Sequence, residues 1–157
     1  MGRKITYREI RKGEEEKACL LVMDCFREFV APGYSEEGVT EFSKYVNPKF
    51  TQQRLTRNHF IILALDTDLP VGFIEVRNYN HISLFLVRKE YQNKGICKKL
   101  HELAVNKCKA SKPDVSFINV NSSPYAVPIY EKLGFMKSDK EQVANGMRFT
   151  PMILKLS

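Results

Sequence analysis

The run Ile82–Lys109, ISLFLVRKEYQNKGICKKLHELAVNKCK, reads as three consecutive pieces. An apolar strand comes first, then a tight polar loop, Gln92-Asn93-Lys94-Gly95-Ile96-Cys97, then an amphipathic helix. A strand that ends in a glycine-bearing loop and opens into a helix makes an anion site. Unbonded backbone N–H groups project from the first helical turn, and the helix dipole favours negative charge there. Gly95 lets the backbone turn sharply and approach a ligand with no Cβ in the way, and the position should tolerate nothing larger. Lys94, Lys98 and Lys99 add positive charge, and pyrophosphate is the natural guest. The loop has neither GxxxxGK[ST] nor GxGxxG, which removes the commonest nucleotide-binding motifs. An ordinary strand-to-helix turn is the competing reading of one glycine at this place.

A second stretch, Asn121-Ser-Ser-Pro-Tyr-Ala-Val-Pro-Ile-Tyr-Glu-Lys-Leu-Gly-Phe135, follows one short strand later. The two stretches in this order resemble the GNAT superfamily of N-acetyltransferases. The family loop Gln/Arg-x-x-Gly-x-Gly/Ala is here Gln92-x-x-Gly95-x-Cys97, and Tyr130-Glu-Lys-Leu-Gly-Phe135 matches the next motif. The resemblance spans nearly the whole chain and implies an acetyl-CoA-dependent acyltransferase. It implies that backbone at Phe85 and Val87 pairs with the pantetheine arm where the fourth and fifth strands splay. It implies that Gln92, Asn93, Lys94, Gly95, Ile96, Cys97 and Lys98 hold the pyrophosphate. Tyr130 is where the family often places the acid that protonates the leaving thiolate. Asn121 is a candidate for hydrogen bonding the cofactor or a catalytic water. The family more often has its Asn seven residues before the tyrosine, where Ser123 stands here, so either residue can fill the role.

Composition sets the outer limits. With 157 residues, 43% hydrophobic and 27% charged, the chain suits one domain, 1–157, with a real core. No apolar run reaches the length of a membrane span, and MGRKITYREIRKGEEE has no signal core, so a cytoplasmic protein is expected. Met1-Gly2 followed by Thr6 is a crude match to a myristoylation pattern that nothing else supports. Cys19, Cys25, Cys97 and Cys108 contain no CxxC pair, so no zinc or other metal is expected and the thiols should be free. The net charge of +7 gathers on Arg88, Lys89, Lys94, Lys98, Lys99, Lys107, Lys109 and Lys112. A polyanionic cofactor explains part of this, and a solvated helix face the rest. No nucleic-acid motif or aromatic ladder accompanies it.

The remaining chain supplies the frame. Ile5–Ile10 reads as an edge strand, and Ala18, Leu21, Val22, Cys25, Phe26 and Phe29 repeat at helical spacing up to Pro32-Gly33. Ser35-Glu36-Glu37 opens a second helix that Asn47-Pro48 breaks, and Thr51–Asn58 is a short third piece. Phe60–Leu65, Val71–Val76 and His81–Val87, joined by polar turns, predict an antiparallel meander. Val115–Val120 after the amphipathic helix predicts a parallel pairing with a right-handed crossover. Ala126–Leu133 is a short helix closed by Gly134, and Met147–Leu156 a last strand or hairpin that offers an edge for a homodimer. The fold class is α/β (α+β), a single GNAT-like domain. Its sheet is expected to be mixed, mostly antiparallel, of six to seven strands, flanked by about four helices.

Acetyl transfer needs a positioned thioester, a neutral amine, and donors for the charge that develops on the carbonyl oxygen. For the base, Glu75 lies in a strand among apolar residues that would raise its pKa. His81, alternating onto one face with Ser83, Phe85 and Val87, is the second candidate, and water the third. Cys97 and His101, at i and i+4, can be read as a nucleophilic pair with an activated thiol. Phe29, Tyr34, Phe42 and Tyr45 are candidates for the wall of an acceptor pocket, with core packing as the alternative. The expected activity is acetyl transfer to a primary amine, small or peptidic, by direct attack in a ternary complex. A non-catalytic CoA-binding module, a basic nucleic-acid-binding domain and a longer acyl donor are the alternatives.

Overall fold

The computed structural model describes residues 4–156. The Met1-Gly2 pattern therefore lies outside the described residues. The apolar runs form strands β1 (Ile5–Glu9), β2 (His59–Asp66), β3 (Leu69–Arg77) and β4 (His81–Val87), which pair antiparallel in that order. Helix α4 (Ile96–Ser111) then carries the chain across one face to β5 (Phe117–Ser122), which lies parallel to β4. Strand β8 (Met147–Lys155) pairs antiparallel with β5, and β6 (Met136–Lys137) and β7 (Gln142–Ala144) pair with β8. Among the described residues eight strands stand where six to seven are expected, because β6 and β7 are too short to show a period in sequence. Strand β8 is flanked by β5 and by β6 rather than left as a free edge.

The sheet has a core on each face. Phe60, Ile62, Ile74, Val76, Ile82 and Val87 pack under α4 through Ile96, Leu100 and Ala104. On the other face Ile61, Leu63, Leu65, Phe73 and Leu84 pack against helix α1 (Glu15–Cys25) through Ala18, Leu21, Val22 and Cys25. The chain leaves α1 through a wide π-type turn, Phe26–Val30, and a 3-10 turn, Ala31–Gly33. Helix α2 (Glu36–Tyr45) starts at Ser35, whose Oγ accepts from the Gly38 N–H. Asn47-Pro48 begins a helix instead of only ending one. The Asn47 side chain accepts from Lys49 N at 2.9 Å and caps α3 (Pro48–Leu55), with Pro48 in the first turn, where no N–H is needed. The last helix, α5 (Val127–Lys132), follows β5.

Helix α2 is fastened to the β7–β8 turn. A Cβ built on Gly38 would lie 2.2 Å from the Gly146 carbonyl oxygen, so only glycine permits this approach. Ser35 Oγ donates to the same carbonyl at 3.3 Å. The α1–α2–α3 layer is thereby tied both to the meander below it and to the far end of the sheet.

Candidate active site

Strands β4 and β5 are joined by only two residue pairs, His81 with Asn119 and Ile82 with Val120. Beyond them the strands part, and a cleft of about 1310 Å³ runs through the opening from one face of the sheet to the other. The first half of β4 also carries a bulge. Leu84 lies opposite Glu75 and Ile82 opposite Val76, so Ser83 is an extra residue. Arg88 N bonds to Val71 O on β3. By the twofold alternation of a strand, the backbone N–H and C=O of Phe85 and Val87 then point into the opening. The Gln92 side chain donates to the Val87 carbonyl at 3.0 Å and braces that edge.

At the wide end of the cleft stands the N-terminus of α4. Gly95 caps it at φ +82°, and no side chain accepts the first N–H groups among the described residues. A Cβ on Gly95 would meet nothing within 4 Å. Within the protein itself, the constraint on this residue is thus the left-handed backbone, since no protein atom crowds a Cβ there. Asn93, at φ 61°, makes the preceding bend. Gln92, Asn93, Gly95, Cys97 and Lys98 line the cleft; Ile96 does not, because its side chain is buried under the sheet. Lys94 points elsewhere, with Nζ 5.9 Å from the Tyr91 ring centroid. The geometry fits an extended polyanion-tailed ligand: free N–H groups at a helix start, an open strand edge beside them, and lysines around.

On this face Tyr130 is buried against Phe85 and Phe135, edge to face. Burial pushes its phenol far above the ordinary tyrosine value, with Cys97 adding to the effect, so it is protonated. Cys97 corrects an expectation. Burial raises its thiol to about 11 instead of the helix terminus lowering it. His101 does not activate it: its Nε2 is buried without a partner among the described residues, its ring stands edge-on to Phe135, and burial lowers its pKa. A neutral thiol beside a neutral imidazole is not a nucleophilic pair.

The opposite face holds the remaining candidates. Glu75 is wholly buried between the apolar Ile61 and Leu84 of its neighbouring strands, but its carboxyl is matched by polar partners. Arg54 donates Nε to its Oε2 at 2.7 Å and Nη2 to its Oε1 at 3.0 Å, and His59 Nδ1 lies 2.8 Å from Oε2. Burial alone would raise this carboxyl, but the His59 and Arg54 hydrogen bonds and the Arg54 charge bring it below the usual carboxylate range, the reverse of the expected shift. Glu75 does not line the cleft. Its partner Arg54 stacks 3.9 Å over the Tyr45 ring and donates to the Tyr45 carbonyl at 2.8 Å.

His81 does line the cleft, and its Nδ1 is hydrogen bonded to Asn119 Oδ1. A carbonyl oxygen can only accept, so Nδ1 carries the proton and Nε2 a lone pair. Burial lowers the His81 pKa, with the Arg77 and His59 charges acting in the same sense and the Asn119 hydrogen bond opposing. Phe29, Tyr34, Phe42 and Tyr45 all reach the cleft, yet Phe42 also stacks on the buried Phe26 at 3.8 Å, so wall and core are one structure. Tyr125 stacks on Phe29 at 4.9 Å and its hydroxyl lies 3.4 Å from Gln92 Oε1, bridging the two lips.

The cleft therefore gathers Phe85, Val87, Gln92, Asn93, Gly95, Cys97, Lys98, Asn121, Ser123, Tyr130 and His81, and leaves out Lys94, Ile96 and Glu75. Sequence reading missed Asn119, Arg77 and Tyr125. Asn119 shares alternation with Asn121, but only the β4–β5 register brings it to His81. No cluster of three or more metal-ligating side chains occurs, and no helix is long and apolar enough to cross a membrane, among the described residues.

A family model for an acetyltransferase (GNAT) domain matches residues 30–156. The chain belongs to that family. A GCN5-related N-acetyltransferase from Rhodopseudomonas palustris superposes with TM-score 0.83 at 19% identity, covering 99% of both chains. The PaiA N-acetyltransferase from Thermoplasma acidophilum, solved with coenzyme A, gives 0.80 at 19%, covering 98% of this chain and 99% of that one. The ribosomal-protein-S18-alanine N-acetyltransferase from Escherichia coli gives 0.66 at 14%, with 98% and 95% covered. No curated protein sequence matches significantly.

Proposed function

We propose that the chain transfers the acetyl group of acetyl-CoA to a primary amine by direct attack in a ternary complex. The observation that carries this is the cleft through the sheet, with the buried Tyr130 phenol on one face and the His81 imidazole, held by Asn119, on the other. The free N–H groups of α4 hold the pyrophosphate, and the open edge at Phe85 and Val87 holds the pantetheine arm as an added strand. Acetyl-CoA supplies the activated acetyl group. The amine enters neutral from the α1–α3 face, and its nitrogen becomes acidic as the C–N bond forms. His81 Nε2 accepts that proton, directly or through a water, and Asn119 keeps the imidazole in the accepting tautomer. Tyr130 gives its proton to the departing thiolate. Glu75 acts through Arg54 on Tyr45 and does not take the proton.

Calorimetric titration of acetyl-CoA into wild type and Gly95→Glu tests the cofactor half. Micromolar binding lost in the variant supports it. Thiol release with a panel of amines tests the transfer, and wild type that binds acetyl-CoA but releases no thiol with any amine overturns it.

A further inference from the structure

We infer that the acceptor is a small amine that also carries a carboxylate, as a free amino acid does, and that Arg77 binds the carboxylate. This rests on acetyl transfer in the cleft. Arg77 lies directly opposite His81 in the β3–β4 register, so both side chains leave the same face of the sheet, and both line the cleft. The other charges at this end are already matched. Glu75 is taken by Arg54 and His59, and Glu41 lies 3.4 Å from Lys44. Arg77 makes no ion pair among the described residues.

The hydrogen-bonding inventory points the same way. Ser83 Oγ is buried without a partner among the described residues. The Tyr45 phenol is near enough to feel it but outside hydrogen-bond geometry. Arg77, Ser83 and Tyr45 all bring donors, and His81 Nε2 brings a lone pair. A simple alkylamine would answer the lone pair and leave the buried Ser83 hydroxyl unanswered, which is costly, while Arg77, exposed at the rim of the cleft, would keep its water. A polyamine would put a second cation beside Arg77. A carboxylate takes the guanidinium in two parallel hydrogen bonds and accepts from the hydroxyls. Two residues along β4 separate His81 from Ser83, roughly 7 Å, a distance the Arg77 side chain spans. An amine and a carboxylate on the same or neighbouring carbons therefore reach both ends. Phe29, Phe42 and Tyr34 offer the rest of such a molecule an aromatic wall.

The test is steady-state thiol release by wild type, Arg77→Gln and Arg77→Lys with the standard amino acids, their amides and their decarboxylated amines. In wild type kcat/KM for an amino acid should exceed that for its amide by about tenfold to a hundredfold. In Arg77→Gln that ratio should fall towards one, through KM rather than kcat, and Arg77→Lys should restore part of it. Turnover of amines with no carboxylate preference, or a preference that survives Arg77→Gln, overturns this inference and leaves transfer standing. Acetyl-CoA binding with no amine turned over overturns both.

Discussion

At the scale of single residues, the proposed chemistry divides between Tyr130 and His81. Tyr130→Phe removes only the proton donor and should lower kcat by about a hundredfold or more while the KM for acetyl-CoA holds, as steady-state kinetics would show. His81 must be neutral to accept a proton. Its pKa is held below the ordinary histidine value of 6.5, so kcat/KM should fall only as pH drops below that value, and His81→Gln should lose this acid limb. A limb that persists unchanged would move the base to water. That Tyr130 and the loop residues Gln92, Asn93, Gly95, Cys97 and Lys98 belong to one cleft was legible in sequence because local motifs carry them, although Lys94 and Ile96 of the same loop point elsewhere. The base was not. Glu75 looked like a carboxylate among hydrophobes because its partners Arg54 and His59 lie 21 and 16 residues away. Nothing local announces that pairing, nor the one between His81 and Asn119, 38 residues apart.

At the scale of elements, the start of α4 separates two kinds of constraint. Since Gly95 has φ +82° and open space, Gly95→Ala should cost roughly 1–2 kcal/mol and weaken acetyl-CoA binding about tenfold. Gly95→Asn, a residue that accepts the left-handed region, should recover most of it; paired denaturation and titration measurements would decide. If space were the limit, Asn would be the worse of the two. The elements themselves were mostly readable, because the meander and α4 carry long unbroken periods. Helix α1 ended earlier than its apolar repeat suggested, since the chain widens into the π-type turn at Phe26. The two short strands escaped because two or three residues hold no period.

For the molecule as a whole, stability hangs on groups that only the tertiary structure assembles. Glu75→Ala leaves Arg54 and His59 buried without their anion and should cost about 3–5 kcal/mol, visible as a large drop in Tm. Acid should also destabilise the fold. His81 and His101 both have pKa values lowered by burial, so below about pH 6.5 the unfolded chain binds more protons than the native one, and stability falls as pH falls. His101→Leu removes one such group and an unpartnered Nε2. It should raise Tm and flatten the acid side of the Tm–pH curve. The two residue pairs joining β4 to β5 have a consequence of another kind. In a sheet interior, neighbouring amides usually exchange their hydrogens with solvent at similar, slow rates. Here the amides of Leu84 and Leu86 are shielded by β3, while those of Phe85 and Val87 face the slit, so deuterium should enter β4 at every second residue, and a ligand lying along that edge should erase the alternation.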